Sequence, residues 1–515
     1  MGNGTIALGI DLGTTNSVVA VVNEQGVPEV IPNSEGERLT PSSVHFDGDN
    51  IVVGQFARDA LRVDPDNVVM FVKRQIGNPT WHVQYDGKEH TAIDVSALIL
   101  EKLRKDAEQA LNMSINYAVI TVPADFDDAR RRATETAATI AGMKVLCLIN
   151  EPTAAAIAFG ANRKGDKKTV LVYDLGGGTF DVTLMMIEGD KIRVLATEGQ
   201  QLLGGKDFDD LIIKYAVQAF QAEHGFDPTA EEYVAAELRE QAEKAKRELS
   251  KRSSTILVIG AKGRTTRTSL TKEQLDEFIS SKVDNTFIHI RNVLEHSKLA
   301  PEDVDQVILV GGSTRLRIVR EKLAEFFGKD PDASINPDEA VALGAAIVAA
   351  RELAEIEPEA LSETVHEVVG GLQVSDVLSH SLGIGTFVPG TNRPFNSIML
   401  ARNTPIPKEE SRIFPTTTAN QTAIKITIYQ GEFDDPSLCN PVGEFLLKGL
   451  PPNRPVGKKV RITISCNTNG MVEVQATDIE TGLQAETVVN YSQGLSQDEI
   501  ADKQSWLKKK TKTIL

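Results

Sequence analysis

Three glycine turns carry the first chemical signal in the chain: Gly13-Thr14-Thr15, Gly176-Gly177-Gly178-Thr179 and Gly311-Gly312-Ser313-Thr314. Each follows an apolar run. Glycine lets backbone N–H groups come close to an anion, and the Thr and Ser hydroxyls add donors. For any single turn a plain hairpin is the alternative. Three together, with Asp11 and Asp174 just before the first two and Asp181 just after the second, are better explained as a polyphosphate cradle. None reads G-x-x-x-x-G-K-[ST] or G-x-G-x-x-G, so neither a P-loop nor a dinucleotide fingerprint is present.

Asp11, Glu151, Asp174 and Asp181 are the carboxylates nearest these turns. Mg²⁺ takes oxygen ligands, keeps several waters and shares few carboxylates with substrate phosphates, so the set suits it. Asp11 and Asp174 close strands that read as buried, where an unpaired carboxylate is costly; capping of the following turn is the other reading. Lys73, in Phe71-Val72-Lys73-Arg74, follows an apolar run and could reach a terminal phosphate. Glu243, Lys246, Arg247 and Ser250 fall at i, i+3, i+4 and i+7 and so share one helix face. Periodicity alone makes that stripe a solvated charged face.

The elements that must position these residues alternate between strand and helix up to about residue 350. Strands are expected at Thr5–Ile10, Ser17–Val22, Tyr117–Val122, Thr169–Tyr173, Val182–Ile187 and Val307–Val310. Helices are expected at Val95–Leu111, Asp127–Ala141, Phe208–Glu223, Ala230–Ser250, Lys272–Ser297 and Ala340–Leu353. Such alternation implies α/β layers. The pattern occurs twice: Ile10-Asp11-Leu12-Gly13-Thr14-Thr15 is echoed from Tyr173, and Ile149-Asn150-Glu151-Pro152 with its alanine run is echoed from Ile335. Two copies at so long a period imply duplicated halves, not a solenoid. From about residue 381 short alternating runs recur, among them Ala423–Tyr429, Lys459–Cys466 and Met471–Thr477, so an all-β module follows.

Composition sets the limits. At about 150 residues per domain, 515 residues give roughly three to four compact units. Asp and Glu number 72 against 55 Lys and Arg, for a net charge of −17; a dedicated nucleic-acid binder would be basic. The cysteines, Cys147, Cys439 and Cys466, are odd in number and form no C-x-x-C, so neither a disulfide framework nor a zinc site is expected. A reducing compartment, the cytoplasm, is the simplest location. Met1–Ile10 has no basic segment before an apolar core, and no run of about 18 apolar residues exists to span a membrane.

Taken together, these motifs resemble the seventy-kilodalton heat-shock chaperone family, the DnaK-like proteins. The matching stretches are Gly9–Ser17, Ile149–Ala156, Tyr173–Val182, Leu203–Asp209, Val310–Arg315 and Asn336–Ala340. The resemblance runs from Gly9 to about Ile500. It implies a multidomain α/β plus all-β protein. Residues 1–367 would be an actin-like, duplicated ribonuclease-H-like ATPase domain of two lobes and 368–380 a linker. Residues 381–495 would be a β-sandwich that binds extended peptides, and 496–515 the start of a helical lid or a tail. The implied activity is ATP hydrolysis coupled to binding and release of unfolded client chains.

By the same resemblance Gly13, Thr14, Thr15, Asn16, Gly176, Gly177, Gly178 and Thr179 would hold the phosphates of ATP or ADP, near Gly204 and Gly205. Asp11, Glu151, Asp174 and Asp181 would order Mg²⁺ through its waters, with K⁺ nearby. Lys73 would steer the attacking water, and Lys73, Glu151, Asp174, Thr179 and Asp11 would form the catalytic set. Glu243, Lys246, Arg247 and Ser250, with Gly311, Gly312, Ser313, Arg315 and Asp338, would clamp the adenosine. A peptide channel would be lined by Ile384, Thr386, Phe387, Ile424, Ile426, Val460 and Ile462, with Phe387 and Thr417 bridging over the peptide. A J-domain co-chaperone and a nucleotide-exchange factor are implied partners; nucleic acid and membrane are not.

Several positions depart from the family pattern. The chain ends at Leu515, which would leave most of the lid absent. Leu372-Gln373-Val374-Ser375-Asp376 is less apolar than the usual leucine-rich linker. Cys147 stands where the family has an Arg used in co-chaperone and interdomain contacts, and Asp125 where it has a Tyr. Short segments after Lys73, Asp181 and Ser250 resemble the specialised bacterial branch typified by HscC. Two other readings share the duplicated fold. An actin-like filament protein would not need the β module, and a sugar or acetate kinase is not excluded by fold alone.

Overall fold

The computed structural model describes residues 5–48, 50–160, 167–388, 391, 393–488 and 495–510. Met1–Gly4 and Thr511–Leu515, the outer ends of the expected first and last segments, lie outside the described residues. The chain forms two compact units. The first comprises Met1–Ala124, Thr134–Val374 and Gln497–Leu515, and the second Asp125–Ala133 and Ser375–Ser496. Length alone suggested three to four. The number falls because the two halves of the first unit share a pair of crossing helices.

Each half is built on a hairpin folded about a glycine turn. Ala7–Asp11 pairs antiparallel with Asn16–Val22 and parallel with Tyr117–Val122, whose outer neighbour is Lys144–Asn150. In the second half Lys168–Leu175 pairs antiparallel with Phe180–Glu188 and parallel with Gln306–Val310. The central strands are buried along most of their length, as parallel-flanked strands covered on both faces must be. Their apolar runs therefore do not alternate.

The alanine runs explain how the halves meet. The helices Glu151–Gly160 and Ala340–Ile356 pack directly on each other, and the second also covers Ala7–Asp11. A Cβ on Gly344 would lie 1.7 Å from the Ala154 carbonyl oxygen, so backbone meets backbone there. Larger side chains along this seam would hold the halves apart.

In the second half the helices Gly205–His224, Glu232–Leu249 and Lys272–Ser297 and the hairpin Ser254–Thr271 close over a core that includes Phe208, Phe220, Leu238 and Ile279. The Gln497–Lys510 helix belongs to the first unit. There Lys503 pairs with Asp94 at 2.6 Å and the Trp506 ring lies against His90, centroids 4.6 Å apart and tilted by 30°.

The second unit holds two four-stranded antiparallel sheets. One runs Pro394–Leu400, Leu382–Phe387, Ala423–Gln430, Asn440–Lys448; the other runs Lys408–Pro415, Lys459–Cys466, Val472–Asp478, Gln484–Val488. Leu382, Ile428, Leu447, Ile464 and Val474 fill the space between them. The polar stretch before the join is more ordered than its composition suggests, since Glu363–Val369 is a helix capped by Ser362. The expected linker contains the strand Gln373–Val377, and the Gln373 N–H donates to the Asp190 carbonyl at 2.9 Å. All three cysteines are free. Among the described residues no helix is long and apolar enough to cross a membrane.

Candidate functional site

The three glycine turns converge on one cavity of 780 Å³ in the first unit. Two of them interlock. A Cβ on Gly178 would fall 2.5 Å from the Thr14 side chain, and one on Gly204 would fall 2.5 Å from the Gly178 nitrogen. Hydrogen bonds fix the loops: Gly205 N–H to Gly176 C=O at 3.0 Å, Ser313 Oγ to Gly176 C=O at 2.9 Å, and Ser42 Oγ to Gly13 C=O at 2.8 Å. Gly13, Thr14, Thr15, Asn16, Gly176, Gly177 and Thr179 all line the cavity.

Beneath the turns sits a buried charge cluster. Lys73 is only 6 % exposed and is ion-paired with Glu151, which is itself buried. Burial disfavours the Lys73 ammonium, but Glu151 and Asp11 outweigh it and raise the pKa above the usual lysine value. The chain presents Lys73 from a short 3₁₀ turn entered through Phe71, whose φ of 58° is rare for a bulky residue. Asp11, against Thr121 Oγ1 at 3.4 Å, is pushed up to about 7, first by burial and then by Glu151. Asp174 is raised well above the carboxylate range, first by burial and then by Glu151 and Asp181.

Asp11, Asp174 and Asp181 beside Glu151 face a single lysine; burial first, and then this crowding of like charge, raises the Asp11 and Asp174 pKa values. A divalent cation would relieve it. Among the described residues no three His, Cys, Asp or Glu side chains converge as a direct ligand set.

The opposite wall comes from the Glu232–Leu249 helix and the Gly311 turn. Lys246 is buried and donates at 2.8 Å to both Gly205 C=O and Asp209. Glu243 is largely covered, and Ser250 Oγ donates to Arg247 C=O. Arg247 alone, with its side chain 75 % exposed, keeps the solvated character that periodicity gives the whole stripe. Gly311 adopts φ +80°, where a Cβ would strike the Leu175 carbonyl at 2.5 Å. Arg315 reaches Asp338 at 2.7 Å and Asn336 at 3.0 Å.

Sequence reasoning passed over the residues that brace these. Arg74 donates to Gly178 C=O at 3.0 Å and pairs with Asp207. Arg38 grips Glu339 with two 2.7 Å bonds. Arg58–Glu243 and Arg62–Glu240 join the first half to the Glu232–Leu249 helix at the cavity mouth. The only sequence signal was that Arg74 adjoins Lys73. Arg58→Ala should speed release of a labelled ADP by about tenfold, or ~1.4 kcal/mol, in a stopped-flow chase. An unchanged rate would show that the clasp does not hold the mouth.

In the second unit, Ile384, Ile426, Val460 and Ile462 are buried between the sheets. Ile424 and Phe414 pack half-buried at the edge of that core, and Phe387 is 46 % exposed. Thr386 is half-buried and Thr417 exposed. Phe414 was not singled out from the sequence.

A family model described as Hsp70 protein matches residues 7–513. The chain is 40 % identical over 505 residues to the chaperone protein DnaK of Thermotoga petrophila, covering 96 % of this chain and 82 % of that protein. The DnaK proteins of Thermotoga neapolitana and Thermotoga maritima match to the same extent. With its duplicated fold, three glycine turns converging on one cavity and an antiparallel sandwich after them, the chain, matched over nearly its whole length, belongs to the Hsp70 family.

Proposed function

We propose that the chain hydrolyses ATP in the first unit and uses the cycle to bind and release extended apolar segments of client polypeptides in the second. The observation that carries this reading is Lys73, buried against Glu151 among carboxylates directly beneath the interlocked turns. The proposed division is 1–367 for the nucleotide, 368–380 as linker, 381–495 for the peptide and 496–515 for the start of a helical lid or a tail.

Gly13, Thr14, Thr15 and Gly176–Thr179 hold the phosphates; Glu243, Lys246, Arg247, Ser250, Gly311, Gly312, Ser313, Arg315 and Asp338 hold the nucleoside. Asp11, Glu151, Asp174 and Asp181 would hold Mg²⁺ through its waters, with K⁺ nearby. Bound there, the metal would neutralise charge on the phosphates. Lys73, kept charged by Glu151 and Asp11, orients the attacking water and stabilises charge that develops on the terminal phosphoryl group. Phosphoryl transfer is largely positioning plus electrostatics, and the rigid turns and one fixed ammonium contribute to both. Thr179 closes the phosphate turn, its carbonyl accepting from the Gly176 N–H at 3.1 Å, and lines the cavity.

Peptide recognition rests on Phe387, Thr386, Ile424, Phe414 and Thr417 at the accessible end of the sandwich, with the buried Ile384, Ile426, Val460 and Ile462 supporting them. Apolar contacts plus backbone hydrogen bonds give sequence-tolerant binding. A J-domain protein and an exchange factor are the expected partners, and the cytoplasm the expected location. The test is fluorescence anisotropy of a leucine-rich heptapeptide on the whole chain. Saturable binding is expected, and Phe387→Ala should raise Kd by about tenfold, as loss of an aromatic anchor does. No saturable binding to the unmodified chain would overturn the peptide site.

A further inference from the structure

Beyond the nucleoside wall the cleft opens into a second chamber of 490 Å³. Its charges are unevenly matched. The carboxylates are engaged: Glu243 with Arg58, Glu240 with Arg62, Asp209 with Lys246, Glu248 with the Thr255 hydroxyl and Asp59 with the Gln55 amide. The cations Arg239, Lys244, Lys251 and Arg252 also line the chamber, yet among the described residues none has a carboxylate oxygen within 4.0 Å. The Arg239 Nε is buried and has no hydrogen-bond partner. A buried donor without an acceptor is unfavourable, and here it points to an anion.

The chamber is continuous with the nucleotide cleft. Gln55, Arg58, Phe71, Glu243 and Arg247 line both. Arg239 and Glu243 are four residues apart, so Arg239 lies on the same helix face about 6 Å beyond the cleft wall. The shared lining places Arg239 next to the space that the nucleoside wall borders. An anion tethered to a bound nucleoside is favoured over a free one by its effective concentration.

We propose that the chamber takes a second phosphoryl group, carried on the ribose of a purine nucleotide whose 5′ phosphates occupy the glycine turns. The Arg239 fork and the Arg252 guanidinium supply charge-assisted hydrogen bonds suited to a phosphate. This proposal rests on the reading of the cleft as an ATP site.

Calorimetric titration tests it with ADP, with ADP carrying a 2′- or 3′-phosphate, and with inorganic phosphate as the untethered probe. One of the two ribose-phosphorylated nucleotides should bind about tenfold tighter than ADP. In the Arg239→Ala/Arg252→Ala protein that advantage should vanish while ADP affinity stays unchanged, which also shows the variant is folded. Equal or weaker binding of both nucleotides to the unmodified chain would overturn the proposal, as would an advantage that survives the double substitution. Inorganic phosphate added to the ADP complex and matching the whole gain would overturn the tethered ligand. Failure of ADP itself to bind would instead bring down the ATP-site reading, and this inference with it.

Discussion

Lys73→Ala is expected to slow single-turnover ATP hydrolysis by about 10²–10³-fold, the effect of removing one preorganised donor from a developing oxyanion. ATP should still bind. The turns, the nucleoside wall and the carboxylate cluster act on the ground state, whereas the ammonium acts on charge that grows in the transition state. Single-turnover rates and equilibrium binding, measured on the same preparation, separate the two. A rate near that of the unmodified chain would remove Lys73 from the reaction. Parallel loss of binding would make it a ground-state contact instead.

Gly344→Ala is expected to destabilise the first unit by about 3–5 kcal/mol, at the upper end of single-substitution effects. The new methyl would stand 1.7 Å from the Ala154 carbonyl oxygen and 2.5 Å from its carbon. Those are backbone atoms and cannot rotate away, so the Glu151–Gly160 and Ala340–Ile356 helices must separate. The cavity lies between the halves these helices join, and nucleotide affinity should fall with stability. Gly260→Ala is the control, because its nearest neighbour would be 4.0 Å away. Urea unfolding of both variants decides it. Equal midpoints would show that the seam yields.

The glycine turns were legible because only glycine fits where another backbone or the Thr14 and Thr15 side chains press directly on the Cα, and such a need marks the sequence itself. The Lys272–Ser297 helix matched its expected bounds because Thr271 and Gln274 cap each other at its start, a purely local signal. The Lys246 side chain read as solvated, yet Asp209 and the Gly205 carbonyl, both far away in sequence, draw it inward. Arg74 and Asp207 are 133 residues apart, and nothing in either neighbourhood announces the pair. The sandwich shows a further limit. Alternation in Lys459–Cys466 tells which residues share a face, and Val460 and Ile462 do share one. It does not tell whether that face is open to a ligand, and here it is the filled core.

Two sites are expected to act together: ATP is hydrolysed in the cleft, and an extended apolar peptide held by the sandwich changes that rate. Steady-state ATP turnover by the whole chain, with and without a saturating leucine-rich heptapeptide, tests it most directly. Linkage requires that if nucleotide alters peptide affinity, peptide alters nucleotide binding by the same free energy, about 1–3 kcal/mol in coupled systems. The account predicts slow basal turnover, raised several-fold by the peptide, with both basal and stimulated turnover lost in Lys73→Ala. Turnover that the peptide leaves unchanged, or that survives in Lys73→Ala, would contradict it.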